Sequence, residues 1–177
     1  MINKLLKLGI SNILVADDRS ENILAARKYF EQLGGISTTY FNNGKDAVEE
    51  IKRNYSSIAL VLTDLEMETP NAGVEVALTG FEYLVPSYII TGGPQHRGNN
   101  PTIRVIPEGI GFEGTKESPE TWKSCLESII NPSFGGSTIL NSVLRARKFG
   151  VSVPFKGVRE MAGYLINGEV RTNKIVK

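Results

Sequence analysis

The most constraining feature of the sequence is a short apolar run, Ile58-Ala59-Leu60-Val61-Leu62, which is followed at once by Thr63 and Asp64. The run is too short for a typical helix, and it lacks the alternation of a half-exposed strand. This pattern favours a strand buried on both faces, as in the middle of a parallel sheet. Asp64 would then lie at the carboxyl end of that strand, which is the edge where open α/β sheets hold their ligands.

A second apolar stretch, residues 13–16, ends in the same way, in Asp17 and Asp18. The chain has only four aspartates, and three of them follow these two predicted strands. Carboxylates held close together repel one another and stay ionised only with a cation between them. Each acid alone is adequately explained as a helix cap, but the three together favour a site for a hard cation such as Mg²⁺, bound by Asp17, Asp18 and Asp64.

Length, composition and charge indicate one domain with a basic appendage. The 177 residues are 41% hydrophobic and 22% charged, which suits residues 1–131 as an α/β domain and residues 132–177 as a helical and hairpin extension. The first segment has 12 basic and 17 acidic residues, a net charge of −5; the second has 8 and 2, a net charge of +6. We expect the extension to dock on the acidic body.

Cysteine and histidine usage excludes several classes of site. The single cysteine, Cys125, excludes an internal disulfide and suits a reducing cytoplasm. One cysteine and one histidine cannot build a zinc site of the usual kind. Because no apolar run approaches the roughly 20 residues of a membrane span, and the opening residues lack the pattern of an export signal, we expect a cytoplasmic protein with no membrane partner.

Strand-like and helix-like segments alternate along the first 131 residues. Ser20 is a plausible helix N-cap, and Ser118-Pro119-Glu120 is a strong helix start. The predicted strands are 13–16, 36–41, 58–64, 87–91, 102–106 and 110–114, and the predicted helices are 20–33, 46–54, 74–84 and 118–130. Such alternation predicts a doubly wound parallel sheet with helices on both faces.

With these elements in place, the sequence resembles the receiver domain of two-component response regulators. The matching segments are 13–18, 43–47 and 61–67, then Tyr88-Ile89-Ile90-Thr91, and then residues 112–116 followed by a proline-initiated helix. The resemblance covers about residues 12–130. It implies a flavodoxin-like, five-stranded parallel sheet, and a phosphoprotein that signals in a phosphorelay.

The resemblance also implies residue roles and partners. Asp64 would accept a phosphoryl group as an aspartyl phosphate, Asp17 and Asp18 would hold Mg²⁺, Thr91 would bond the phosphoryl group, and Lys116 would pair with it. A sensor histidine kinase or phosphotransfer protein would supply the group, and an unknown downstream protein would read it. Chemistry beyond self-phosphorylation and dephosphorylation at the aspartate is not expected, so the protein would not be an enzyme.

The sequence departs from the family pattern in four places. The family's Met-Pro pair is split, so that Glu68 and Thr69 stand between Met67 and Pro70. The proline that usually follows the lysine is Glu117, and the aromatic residue before the lysine is shifted by one place. The family's fourth helix is hard to find in residues 94–109. These departures support a pseudo-receiver, an interaction module that acts without phosphorylation.

Two other readings are disfavoured by the sequence. A hydrolase of the haloacid-dehalogenase type would want an aspartate where Glu66 stands and an acid pair on a later strand, and no aspartate occurs after Asp64. The basic extension, with its helix and turn signals, could pass for a very small winged nucleic-acid-binding module. Packing of its apolar residues on the body is the favoured alternative, so nucleic acid is an unlikely partner. The residues expected to be buried in this way are Ile139, Leu140, Val143, Leu144 and Phe149.

Overall fold

The fold is described from a computed structural model. Residues 1–92, 110–112, 116–131, 135–155 and 157–158 are described, with side chains for all but 91–92, 110–112 and 135–140. The elements in chain order are α1 (Ile2–Lys7), β1 (Asn12–Ala16), α2 (Ser20–Leu33), β2 (Ser37–Phe41), α3 (Gly44–Asn54), β3 (Leu60–Thr63), α4 (Ala72–Glu82), β4 (Ser87–Gly92), β5 (Ile110–Phe112), α5 (Pro119–Ile130) and α6 (Gly135–Lys148).

The five strands form one sheet in the order β2-β1-β3-β4-β5, and every pairing is parallel. This confirms the doubly wound α/β fold, with five strands among the described residues; the predicted strand 102–106 lies outside them. β3 lies in the middle with every residue buried, whereas β2 lies at an edge and is only partly buried. The strand order reverses between β1 and β3, so a crevice opens at their carboxyl ends.

Alternate residues of the central strands face two helical layers. Ile13 and Val15 of β1 belong to a buried cluster with Phe30 of α2 and Trp122 of α5. Leu14 of the same strand faces the other way, into a second buried cluster with residues of α3 and α4. The period of two along each strand therefore explains why a nearly continuous apolar run is needed when both faces are covered.

Two features at the start of the chain differ from the sequence-based predictions. α1 was not predicted, yet Leu5 within it and Ile10 after it are fully buried in the same cluster as β1. Ser20 does not cap α2: the cap position is Arg19, and no side chain caps it. The predicted start of α5 is confirmed, because the Ser118 hydroxyl accepts the backbone N–H of Glu120.

The extension contacts the body through the described parts of α6 and the segment after it. The Arg147 guanidinium donates to the backbone carbonyls of Tyr55, Ser56 and Ile58, at 3.2, 3.1 and 3.0 Å. The Phe155 N–H donates to the Glu82 carbonyl at 2.6 Å. Tyr55 is the C-cap of α3 and Glu82 is the last residue of α4, where helices leave acceptors without partners inside the helix. Ser56 and Ile58 lie in the connection between α3 and β3.

One expectation about the extension is wrong. Phe149 was expected among the buried apolar residues of α6, but it lies just past the end of this helix and is 79% exposed. Leu144 is partly buried against the cluster that contains Trp122. Ile139 and Leu140, which belong to the same prediction, lie outside the described side chains.

Among the described residues, no helix is both long enough and apolar enough to span a membrane.

Replacing Arg147 by alanine should lower the free energy of unfolding by about 1–3 kcal/mol, because partly buried carbonyls would lose charged donors. Arg145 is a matched control on the same helix, and its exposed side chain forms no bond to any described residue. Arg145→Ala should change stability by no more than about 0.5 kcal/mol. Urea unfolding of both variants measures the difference, and equal effects would contradict the anchoring role of Arg147.

Candidate functional site

The carboxyl ends of β1 and β3 bring the predicted acids together. Ala16 and Thr63 are register partners, so Asp17 and Asp64 are the next residues on neighbouring strands. The Asp64 N–H donates to the Ala16 carbonyl at 2.7 Å, which continues the ladder one residue beyond β3. The sheet therefore fixes the backbone beneath both carboxylates.

Asp17 is fully buried and its carboxylate has several donors. Oδ1 accepts the Asn22 side-chain amide at 2.8 Å and the Arg19 backbone N–H at 3.1 Å. Oδ2 accepts the Lys116 ammonium at 2.6 Å. A buried carboxylate is tolerated only with such charge-assisted and amide donors, and here both oxygens of Asp17 have them.

Lys116 joins the two acids. Its Nζ atom lies 2.6 Å from Asp17 Oδ2 and 2.6 Å from Asp64 Oδ1, and it lies 3.3 Å from the Ile90 carbonyl on β4. The side chain is only 7% exposed. The buried Trp122 indole donates to the Lys116 carbonyl at 2.8 Å, so α5 fixes the backbone from which the ammonium extends. A solvated lysine in a turn would have none of these contacts.

Asp64 is more open than Asp17, with 14% of its side chain exposed. Oδ1 accepts the Leu65 N–H at 2.8 Å as well as the Lys116 ammonium, whereas Oδ2 has no donor among the residues that the structure describes. Burial, with a smaller contribution from the neighbouring Asp17 carboxylate, raises the pKa of the Asp64 carboxyl above its usual value, although the Lys116 ammonium opposes this shift. One oxygen of Asp64 is thus held while the other remains available.

The donor set fits a hard divalent cation. Asp17, Asp18 and Asp64 each offer a carboxylate oxygen, and these oxygens lie within 4.8 Å of one another. Asp17 is buried, Asp18 is exposed and Asp64 is intermediate, so the group is open to water on one side. Mg²⁺ binds through a few carboxylates and keeps several waters, which suits three acids of graded exposure. No described cysteine or histidine joins the group.

The loop between β3 and α4 is held close to Asp64 by Gly73. A Cβ atom at this position would lie 1.6 Å from the Asp64 carbonyl oxygen, which is far inside contact distance. The Gly73 N–H donates to the Leu65 carbonyl at 3.0 Å. Only glycine therefore permits α4 to begin so near the end of the central strand.

Glu68, in the same loop, caps a neighbouring helix. Its two carboxylate oxygens accept the N–H groups of Gly44 and Lys45, at 2.8 and 3.0 Å, at the start of α3. These bonds outweigh a partial burial that raises the pKa, so the pKa of Glu68 is lowered overall. Asn43 is the N-cap of α3 and accepts the Asp46 N–H in the same first turn. The split between Met67 and Pro70 thus serves to supply an acidic helix cap.

The residue after the lysine also has a contact across the site. Glu117 forms an ion pair with Arg19, in which the guanidinium donates to Glu117 Oε1 at 2.8 Å, and both side chains are about half exposed. Exposed pairs of this kind contribute little to stability, on the order of 0–1 kcal/mol. Its position is more informative: it links the loop after β1 to the start of the α5 region, directly beside Asp17 and Lys116.

Sequence reasoning missed three residues of this site. Asn22 donates to Asp17, Trp122 donates to the Lys116 carbonyl, and Glu68, noted above only as an insertion, caps α3. A buried amide in the first turn of α2 has no periodic signal that distinguishes it from a surface asparagine. Thr91 is the remaining predicted site residue: its backbone lies in β4 opposite Gly111, but its side chain lies outside the described residues.

Comparisons with known proteins agree on the architecture. A response regulator receiver protein from Sinorhizobium medicae WSM419 matches with a TM-score of 0.54 and 24% identity, over 77% of this chain and 98% of that chain. The response regulator domain of Thermotoga maritima CheB matches with a TM-score of 0.51 and 16% identity, over 75% and 97%. The chain has the fold of a response regulator receiver domain.

A further match to a solved structure includes more of the chain. RcsB from Salmonella enterica serovar Typhimurium, solved bound to the promoter rprA with the phosphomimetic BeF₃⁻, matches with a TM-score of 0.51 and 15% identity, over 89% of this chain and 97% of that chain. No protein-family model and no curated protein matches the sequence. At these identities the likeness shows the receiver fold, and residue roles must be argued from the site itself.

Replacing Lys116 by methionine should lower the free energy of unfolding by about 3 kcal/mol, because two carboxylates would lose their shared buried cation. Saturating Mg²⁺ should stabilise this variant more than the wild type, since a divalent ion can take over part of the charge. Lys123, exposed on α5, supplies the control: Lys123→Met should have little effect with or without Mg²⁺. If the Lys116→Met variant without Mg²⁺ had the same free energy of unfolding as the wild type, this result would contradict the ionic bridge.

The raised pKa of Asp64 predicts a specific pH dependence. The pKa of Asp64 is higher in the folded state than in the unfolded state. Proton binding at Asp64 therefore stabilises the fold, and this contribution to the free energy of unfolding is complete below the unfolded-state pKa. The contribution is lost as the pH rises through the folded-state pKa. Mg²⁺ binds the ionised form and should move the midpoint downward. Carbon-detected NMR titration of the Asp64 carboxyl, with and without Mg²⁺, measures both midpoints. A midpoint that Mg²⁺ leaves unchanged would contradict metal ligation by Asp64.

Proposed function

We propose that this protein is a signalling receiver that accepts a phosphoryl group on Asp64 with Mg²⁺ bound, as part of a two-component phosphorelay. The observation that carries the proposal is the contact of one buried ammonium, Lys116, with both Asp17 and Asp64 beside the exposed Asp18. A purely structural ion pair needs one acid for one base. Three acids beside one base, at the crevice of a receiver fold, suit a site that binds both Mg²⁺ and a phosphoryl group.

The proposed reaction uses the free oxygen of Asp64. That oxygen forms a bond to phosphorus while the bond from phosphorus to the donor's leaving atom breaks, and the leaving group departs with the electron pair and takes up a proton from water. Asp17, Asp18 and Asp64 would hold Mg²⁺, which offsets negative charge on the phosphoryl oxygens. Lys116 would move its ammonium from Asp64 Oδ1 to the new phosphoryl oxygens, because they have the greater charge.

Thr91 is proposed to read the phosphorylated state. It follows Ile90, whose carbonyl already lies 3.3 Å from the Lys116 Nζ atom, so the end of β4 is next to the ammonium. A hydroxyl at this strand end could donate to a phosphoryl oxygen on Asp64. Gly92 and Gly93 follow it in sequence and would resist a backbone shift only weakly.

Partners and location follow from this role. A sensor histidine kinase or phosphotransfer protein would be the donor, an as yet unspecified protein would receive the signal, and both would act in the cytoplasm. The protein's own chemistry would be limited to gain and loss of the phosphoryl group. We further propose that residues 132–177 form a docked extension of the 1–131 body rather than a nucleic-acid reader, a view supported by the three carbonyls that Arg147 binds.

The second candidate is a pseudo-receiver, and two contacts favour it. Glu68 ties the loop after Asp64 to the start of α3, and Glu117 ties the residue after Lys116 to Arg19. Both residues stand where the sequence departs from the receiver pattern, and both join segments that border the acids. A site fixed in this way would suit an interaction module whose acids no longer exchange a phosphoryl group.

A small-molecule phosphodonor with Mg²⁺ should add one phosphoryl group to the wild type and none to Asp64→Asn, because the amide offers no nucleophilic carboxylate. Intact-mass spectrometry measures the addition. Glu66→Gln is the matched control, since it removes an exposed carboxylate two residues from Asp64, and it should be modified like the wild type. Thr91→Ala should still be phosphorylated, with a smaller spectral change in the segment that follows it.

An unmodified wild type under these conditions, with the protein folded and Mg²⁺ bound, would reject the phosphorylation proposal in favour of the pseudo-receiver. Modification of Asp64→Asn at the wild-type level would instead reject Asp64 as the acceptor.

A further inference from the structure

A second cavity lies at the opposite edge of the sheet from Asp64. It has a volume of about 990 Å³ and lies where α6 faces the amino ends of β1 and β3. The turn after α1, the connection between α3 and β3, and α6 each contribute part of its lining. We refer to this space, lined by residues 7–11, 56–59 and 141–148 in part, as the basal cleft.

The charged residues of the basal cleft all have the same sign. Lys7, Arg145, Arg147 and Lys148 line it, and no aspartate or glutamate does so. None of the four forms an ion pair with any described residue. A concave surface with four uncompensated cations has a positive potential that concentrates anions. Three of these cations belong to α6 in the basic extension, and Lys7 comes from the body.

Arg147 fixes one wall of the cleft without losing its charge. Its guanidinium donates only to neutral backbone carbonyls, those of Tyr55, Ser56 and Ile58. Carbonyls satisfy the N–H donors but leave the positive charge unbalanced. The arrangement therefore holds α6 in place and at the same time keeps an unpaired cation at the cavity wall.

The remaining lining is suited to an organic group. Leu8, Ile58, Ala59 and Leu144 supply apolar surface, and Ser11 and Asn141 supply a hydroxyl and an amide. A bare inorganic anion would use the cations and leave the apolar wall in contact with water. A ligand with a phosphorylated end and a ring or chain would use both kinds of surface. The volume is at the upper end of the range for small-molecule sites, roughly 300–1,000 Å³.

We propose that the basal cleft binds a small phosphorylated organic molecule of nucleotide size, with its phosphates on Lys7, Arg145 and Lys148 and its organic part against Leu8 and Leu144. The ligand would contact α1, the α3–β3 connection and α6 together, so its binding would tighten the attachment of α6 to the body. The site contains none of the acids at the other edge of the sheet, so the proposed binding does not depend on phosphorylation at Asp64.

The test uses the full chain, with ATP, AMP and inorganic tripolyphosphate as probes, in calorimetric titrations at low ionic strength. ATP should bind, should weaken as salt is added, and should bind at least about tenfold more tightly than tripolyphosphate. The double variant Arg145→Glu/Lys148→Glu should weaken ATP binding by at least about tenfold. The charge-matched control Lys28→Glu/Lys123→Glu, on exposed positions of α2 and α5 outside the cleft, should bind like the wild type.

Four results would overturn the proposal. These are no binding of ATP or AMP at millimolar concentration, equal affinity for tripolyphosphate and ATP, equal losses in the cleft and control variants, and displacement of ATP by a DNA duplex that binds more tightly. Circular dichroism of both double variants establishes that they are folded before the comparison. The phosphoacceptor variant Asp64→Asn should bind ATP like the wild type, which separates this site from the proposed receiver function.

Discussion

The ammonium of Lys116 is the interaction on which the acidic site depends. It lies 2.6 Å from a carboxylate oxygen on each of two neighbouring strand ends, inside a space that excludes most water. Without it, Asp17 and Asp64 would repel each other in a medium of low dielectric. Much of the surrounding structure serves to hold this one group: Trp122 fixes its backbone carbonyl, Asn22 completes the donors to Asp17, and Gly73 lets α4 approach the end of β3.

The sequence was informative wherever a local pattern has one physical explanation. A nearly continuous apolar run ending in Asp64 requires a strand covered on both faces, and β3 is that strand. A cap, a proline and an early acid mark the start of α5, because each satisfies a different need of a helix N-terminus. Convergence of Asp17, Asp18 and Asp64 followed from the rule that parallel strands end at the same edge, and the distances agree with it.

Features that depend on long-range contact could not be predicted in this way. Glu68 looked like an inserted surface residue, because its partners, Gly44 and Lys45, are more than 20 positions away. α1 is a six-residue helix whose stability comes from burying Leu5, and so short a segment has no readable period. Phe149 was expected to be buried on the basis of its hydrophobicity, but the helix ends before it and leaves it in water.

The central claim is that Lys116 exchanges one acidic partner for a phosphoryl group on Asp64. A crystal structure of the protein grown with Mg²⁺ and beryllofluoride tests it most directly. The account predicts density joined to the free oxygen of Asp64, a metal ion bound by Asp17, Asp18 and Asp64, and the Lys116 Nζ atom in contact with a fluoride. An unchanged Lys116 bridge between Asp17 and Asp64, with no density on Asp64 at saturating concentrations of both ions, would contradict it.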